Sequence, residues 1–205
     1  MAELLLQQFA REPVPGQVKT RMQPALTPQA ACDLHCELVR WTCSQLLQSG
    51  LGDVEICVAG DPGHGVFQDC LHAGAIRVVE QRGKDLGERM YHALRRGLRD
   101  HPAVILVGSD CPAISPAYLL RAAQSLMRAE VVIAPAEDGG YVLVGATTVT
   151  HAMFEGIAWG SDRVFEQTMA RIAQVSLACE VLPVLPDIDR PEDLLLWHAL
   201  RDNRV

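Results

Sequence analysis

The stretch "AVILVGSDCP" (residues 103–112) decides the fold. Residues 103–108 are apolar or small, with no alternation of apolar and polar positions, so both faces of the segment must be covered. A strand of that kind belongs in the middle of a parallel sheet with helices packed on either side. The run then breaks at Ser109-Asp110-Cys111-Pro112, a polar turn. Ligands of open α/β sheets bind beyond the carboxyl ends of strands, which makes Asp110 the first candidate site residue.

On both sides of this strand, strand and helix signals alternate. "ELLLQQF" and "DVEICVAG" (53–60) read as strands. Between them Thr27-Pro28 predicts a helix start, with Ala30, Leu34, Leu38 and Trp41 on one face and an end near Gly50. "GVFQDCLHA" is a short helix and "AIRVVEQ" a strand. "DLGERMYHALRRGLRD" is a helix with Leu86, Met90, Ala93, Leu94 and Leu98 inward. Ser115-Pro116 opens another by the same capping logic. "AEVVIAPA" and "GYVLVGAT" are strands about the turn "EDGG", "SDRVFEQTMARIAQ" is helical, "CEVLPVL" extended and "DRPEDLLLWHALRD" a closing helix. The pattern predicts a single three-layer α/β/α domain over residues 1–205, mostly parallel, with one antiparallel strand near 141–146.

The chain has 205 residues, 49% hydrophobic and 21% charged, with net charge −7 and pI near 5.4. That balance gives one well-filled core and argues against a general nucleic-acid surface, so an anion site must be local. No apolar run approaches the roughly 20 residues of a membrane span. "MAELLLQQFA" lacks a basic region and a long apolar run, so the expected compartment is cytoplasmic. The seven cysteines are odd in number, without C-x-x-C. Cys32, Cys36 and Cys43 share helical spacing and read as buried thiols, and no tight N/S cluster suggests zinc.

Positive charge is concentrated in "FAREPVPGQVKTRM" (9–22), which holds three basic residues against the one acid Glu12. Pro13 and Pro15 stiffen it, and Gly16 permits a positive φ or a close approach. Lys19 and Arg21, two apart, can point the same way in an extended segment, offering a point charge and a fork to phosphate oxygens. Walker-type spacing is absent. In "QRGKDLGERM" (81–90), Arg82 and Lys84 are candidates for phosphate or base contact, while Asp85 reads as a helix cap. Asp110 suits a magnesium or manganese ion that also holds a diphosphate. Cys111 has no partner histidine at a recognisable spacing. In "EDGGY", Asp138 can accept bonds from hydroxyls, while Gly139 and Gly140 let the chain pass close to a sugar ring. The same residues also spell a hairpin turn. Asp189 in "DIDRPEDL" is either a second metal carboxylate or a helix cap, standing three before Glu192. A solvated basic loop and a simple turn are the plain alternatives for the opening loop and for Asp110.

Taken together and in order, "FAREPVPGQVKTRM", "QRGKDLGERM", "VGSDCP", "APAEDGGYVLVGA", "GIAWGSDRVFEQT" and "PDIDRPEDL" resemble the DUF2064 group of bacterial glycosyltransferases. This group has the GT-A nucleotide-diphospho-sugar transferase fold and includes members associated with arsenosugar biosynthesis. More distantly the layout is similar to nucleotidyltransferases. The resemblance implies an enzyme in which Asp110 and Asp189 hold Mg²⁺ or Mn²⁺. Pro15, Gly16, Lys19 and Arg21, with Arg82 and Lys84, would meet nucleotide phosphates. Asp138 would be catalytic, with Gly139, Gly140 and Tyr141 beside the sugar or acceptor. The partners implied are a nucleotide-sugar donor and a small-molecule acceptor, without nucleic acid or a transmembrane segment. Pro-Val-Pro-Gly stands where pyrophosphorylases have a G-x-G start, and Ser109-Asp110-Cys111 replaces D-x-D. The first difference favours sugar transfer over nucleotidyl transfer, the alternative reaction. A non-catalytic nucleotide-sugar-binding protein is the third reading.

Overall fold

The computed structural model describes residues 4–23 and 25–202. In chain order its elements are β1 (Leu4–Arg11), α1 (Pro28–Ser49), β2 (Gly52–Ala59), α2 (Gly65–Ala73), β3 (Arg77–Glu80), α3 (Leu86–Gly97) and β4 (Val104–Gly108). There follow α4 (Pro116–Ser125), β5 (Val131–Pro135), β6 (Tyr141–Ala146), α5 (Val164–Gln174), β7 (Cys179–Val181) and α6 (Leu194–Asp202). The strands form one sheet in the order β3-β2-β1-β4-β6-β5-β7. Only β6 runs against its neighbours, pairing antiparallel with β4 and β5, and the other pairs are parallel. This is the α/β fold expected, with its antiparallel strand where the sequence placed it.

Strand alternation distributes the core between two faces. Leu6 and Ala10 of β1, with Ile105 and Val107 of β4, pack under α1, α2 and α4. Leu5 and Phe9, with Val104 and Leu106, pack under α3, α5 and the turn 151–154. Residues 104–107 are each at most 4% exposed, as their uninterrupted apolar run requires. Ala31, Leu34 and Leu38 form a second apolar stripe on α1, which buries against Met22, Ile188 and Trp197 and so docks α6.

Three expected helix starts are made by the residues predicted. The Thr27 hydroxyl accepts from Ala30 N at 3.1 Å, Asp85 Oδ1 from Glu88 N at 2.8 Å, and Ser115 Oγ from Tyr118 N at 3.2 Å. The inward faces need correction at two helices. Leu86, read as inward, is 44% exposed, because it opens α3 at the rim of the sheet, where there is nothing above it to pack against. Ala30 and Trp41 are only half-buried, since they lie at the outer margin of the stripe formed by Ala31, Leu34 and Leu38, away from the other stripe of Val39, Cys43 and Leu46.

The chain moves from β1 outward to β2 and β3, then returns to β4 on the other side of β1. The gap above the carboxyl ends of β1 and β4 is therefore a topological switch point, where such sheets bind ligands. Because β6 is antiparallel, the β5–β6 turn also lies at this edge. After β7, residue 185 bridges to Ala136, and the Ile188 amide donates to the Asp110 carbonyl at 2.8 Å. The 186–190 segment thus closes over the same edge.

Candidate active site

Two lobes of one cleft, of about 610 and 560 Å³, open at this edge. Both are lined by Phe9 and Arg11 from the end of β1, Gly108 and Asp110 beyond β4, and Arg21 and Asp189. The first lobe adds Asp138, Tyr141, Trp159 and Asp187, and the second adds Lys19, His35, Gln81 and Arg89.

The expected metal carboxylates and the expected phosphate cations meet here as pairs. Lys19 Nζ lies 2.7 Å from Asp110 Oδ1 and also donates to the Ile188 carbonyl. Arg21 Nη1 lies 2.6 Å from Asp189 Oδ2. The two cations are not equivalent. Lys19 has a positive φ of 50° and a side chain only 3% exposed, whereas the Arg21 side chain is 56% exposed. Lys19 therefore fixes Asp110 and the 186–190 segment, and Arg21 faces the open cleft. Desolvation tends to raise the Asp110 carboxyl, but Lys19, aided by His35 and Arg11, outweighs it and holds the group below its ordinary value. Burial lowers His35, whose Nε2 lies 3.0 Å from the Arg11 carbonyl.

Ser109 explains why the turn carries a single acid. It is 4% exposed, and its hydroxyl donates to the Phe9 carbonyl at 2.8 Å while accepting from Gln8 Nε2 at 2.9 Å. Ser109 locks β4 to β1, leaving Asp110 to face the cleft. The neighbouring Cys111 is buried, which pushes its thiol up to about 12 and leaves no thiolate for nucleophilic work.

The opening loop owes its Pro-Gly pair to a turn. Gln17 N donates to the Val14 carbonyl at 2.9 Å, and Gly16 has φ 81°. That is a type II arrangement with proline and glycine at its two central positions. Pro15 and Gly16 lie outside the cleft lining, which includes Phe9, Ala10 and Arg11 and resumes at Gln17.

Asp138 and Gly140 make the hairpin turn and line the cleft as well. Asp138 Oδ1 accepts from Gly140 N at 2.9 Å. Gly139, at φ 88°, is required by packing: an added Cβ would sit 2.0 Å from the Asp162 carbonyl oxygen. Tyr141 lines the cleft with its ring, while its hydroxyl points inward to Met90 Sδ at 3.8 Å and is raised by desolvation.

Two expected contacts lie elsewhere. Arg82 lines a separate pocket, and Lys84 is exposed beyond the cleft lining. Gln81, Asp85, Leu86, Arg89 and Met90 are the residues of that stretch that reach the cleft, because α3 begins at Leu86 and the loop 82–84 before it turns outward. The capping alternative for Asp189 also fails. Asp193 Oδ2 accepts from Asp189 N at 2.9 Å and Arg190 N at 2.7 Å, so Asp193 caps and Asp189 is left for Arg21.

Sequence reasoning missed Asp187. It lies in the cleft, and desolvation together with Asp138, Asp189 and Asp110 raises its carboxyl to about 6. The signal was the spacing Asp187-Ile188-Asp189: with Ile188 fully buried, extended backbone turns both acids the other way. Arg11 was also missed, because β1 runs two residues beyond its apolar run and ends in the cleft. Asp110, Asp138, Asp187 and Asp189 thus line one cavity with Arg11, Arg21 and Arg190, with Arg21 paired to Asp189. Among the described residues no group of three or more His, Cys, Asp or Glu is arranged to hold a metal ion, and no helix is long and apolar enough to cross a membrane.

Comparison with curated proteins by sequence gives no match. Among solved structures, the chain is similar to a "putative nucleotide-diphospho-sugar transferase" from Desulfovibrio desulfuricans G20. The two share 31% identity over 93% of this chain and 84% of that one, with a TM-score of 0.81. It also shares its fold with CMP:2-keto-3-deoxy-manno-octonic acid synthetase, at 13% identity over 100% of both chains and a TM-score of 0.64. A third likeness is to 4-diphosphocytidyl-2C-methyl-D-erythritol synthase from Anaerococcus prevotii DSM 20548, at 13% identity over 98% and 99% of the chains and a TM-score of 0.66. A family model described as "Uncharacterized protein conserved in bacteria (DUF2064)" matches residues 42–161, which include Asp110 and Asp138. With more than half its length matched by that model, the chain belongs to the DUF2064 family.

Proposed function

We propose that the chain is a glycosyltransferase that uses a nucleotide-diphosphate sugar, assisted by Mg²⁺ or Mn²⁺. The observation that carries this reading is the opposition of charge in one cleft. Arginines at the ends of β1 and the opening loop line, together with five aspartates, a space large enough for a small-molecule substrate, and only Arg21 and Asp189 among them pair directly. The name of the 31%-identical relative supports the same reaction class.

Each residue then has a chemical task. Arg11 and Arg21 are exposed forks at the cleft wall and bind the diphosphate oxygens in bidentate fashion. Lys19 is a positioning residue that holds Asp110. Asp138 accepts the acceptor hydroxyl's hydrogen bond and takes its proton as that oxygen bonds to the anomeric carbon and the bond from this carbon to the diphosphate oxygen breaks, releasing the nucleoside diphosphate. Trp159, Leu86 and Met90 give the same lobe an apolar wall on which a ring can rest.

The donor set fits a hard divalent ion, since magnesium is commonly held by one or two carboxylates together with substrate phosphates. Asp110 and Asp189 would hold it, on segments already joined by the Ile188–Asp110 backbone bond. When bound, the ion would neutralise charge on the leaving diphosphate.

The test is a thermal-shift panel of nucleotides and nucleotide sugars, with and without Mg²⁺ or Mn²⁺, followed by turnover assays on the ligands that stabilise. Stabilisation by nucleotide-diphosphate sugars, with sugar transfer or hydrolysis, is expected. Stabilisation by nucleoside triphosphates alone would refute sugar transfer in favour of nucleotidyl transfer. Binding without turnover would make the protein a binder.

A further inference from the structure

Farther along α3 from the cleft, beside the edge strand β3, lies a second pocket of about 620 Å³, lined by Val79, Glu80, Arg82, His92, Arg96 and Arg99. It shares no lining residue with either lobe of the cleft. We propose that this pocket is a distinct binding site for a small phosphorylated anion.

Its basic side chains come together for a structural reason. His92 and Arg96 are four apart on α3, and Arg99 follows three residues later in the turn that ends the helix, where its amide donates to the Arg96 carbonyl, so the three lie close together. Arg82 joins them from the β3–α3 loop, which Gly83 turns sharply at φ 145°. An exposed basic cluster is ordinarily a solvated face, but this one has a fixed floor. Arg96 Nη2 donates to Glu55, whose carboxylate is fully buried and is also held by Arg77 and by Gln7 Nε2 at 3.0 Å. The guanidinium of Arg96 is therefore pinned in one place. Its Nε–H is buried and has no hydrogen-bond partner. Such a donor is costly to leave unsatisfied.

Above this floor the Arg82 and Arg99 side chains make no hydrogen bond or ion pair within the described chain. The lining carries one acid, Glu80, against three arginines and a histidine. In a protein of net charge −7, that is a local reversal of sign. Arginine forks around a concavity suit phosphate oxygens, which accept two parallel hydrogen bonds from each. The volume falls within the roughly 300–1,000 Å³ of small-molecule sites, so the pocket has room for an organic group beyond the phosphate.

Inorganic pyrophosphate is the probe, followed by amide chemical-shift mapping on the full chain. Because the readout is by residue, the cleft and this pocket report separately. A silent cleft would count against the proposed function, and a silent pocket against this site. The expected result is saturable shifts at residues 79–83 and 92–99. In Arg82→Gln/Arg99→Gln these should weaken about tenfold or more, with the cleft response unchanged, as loss of charge-assisted bonds implies. Shifts reproduced by equal ionic strength of sodium chloride, or undiminished in the double variant, would overturn the proposal. So would a response to heparin with none to pyrophosphate, because the surface would then recognise a polyanion.

Discussion

Replacing Asp187 with asparagine should make the protein more stable at neutral and alkaline pH, and only there. Asp187 is half-buried; desolvation and the neighbouring Asp138, Asp189 and Asp110 raise its carboxyl from an ordinary 3.8 to about 6. Two units correspond to about 3 kcal/mol at most, and screening in the open cleft reduces this to about 1–2 kcal/mol. Between pH 3.8 and about 6 the folded chain keeps a proton that the unfolded chain has already released. Wild-type stability therefore falls as pH rises through that window and stays lower above it. Asparagine has nearly the same shape and no charge to repel. The variant should match wild type below the window and exceed it above, by about 2–8 °C in Tm for a chain of this size. Thermal unfolding followed by circular dichroism across the window, in chelator-containing buffer, measures this directly. The chelator matters because a divalent ion would lower the carboxyl again. A gain that is the same at every pH, or absent at alkaline pH, refutes the reasoning.

The remaining expectations use the same cleft. Lys19→Met removes the donor to Ile188 and the partner of Asp110, and should destabilise by about 1–3 kcal/mol in urea unfolding at neutral pH. Because Asp110 is held below its ordinary 3.8, the ion-pair share of that gap is present above this pH and lost as pH falls further. A gap that widens on acidification would contradict the pairing. Arg21→Ala breaks an exposed pair and should change stability by no more than about 1 kcal/mol. Calorimetry should show nucleoside-diphosphate affinity falling about tenfold, and an unchanged Kd would remove Arg21 from the site. Gly139→Ala forces a Cβ against Asp162 at positive φ, and should lower Tm by about 5 °C or more; an unaltered Tm would mean the turn relaxes freely.

The sequence carried the sheet and its helices clearly, because burial on one or two faces writes a period into the residues. Asp110 was legible because a polar residue directly after an apolar strand marks the edge where ligands bind. Partnership was not legible. Nothing in the spacing of Lys19 and Arg21 says that each meets one of the expected metal carboxylates, 91 and 168 residues away; the first pair needs β1 and β4 side by side, and the second needs residues 186–190 to cross the sheet. Arg82 illustrates the opposite limit. It was read as a phosphate contact in the main site, but a one-residue difference between Gln81 and Arg82 separates the cleft from the pocket farther along α3. Loop direction at that scale is set by packing of the helix start, which local sequence does not encode.

Ile188 ties the two ends of the chain together: its amide binds Asp110, its carbonyl binds Lys19, and its side chain is fully buried beside Met22 and Trp197. During synthesis, every paired strand of the sheet has left the ribosome before this residue does. A nascent or proteolytically shortened chain ending before it would have a nearly complete core, with Lys19 lacking its carbonyl acceptor and Arg21 its carboxylate. The cleft is therefore completed last, by a segment that comes after every strand of the sheet.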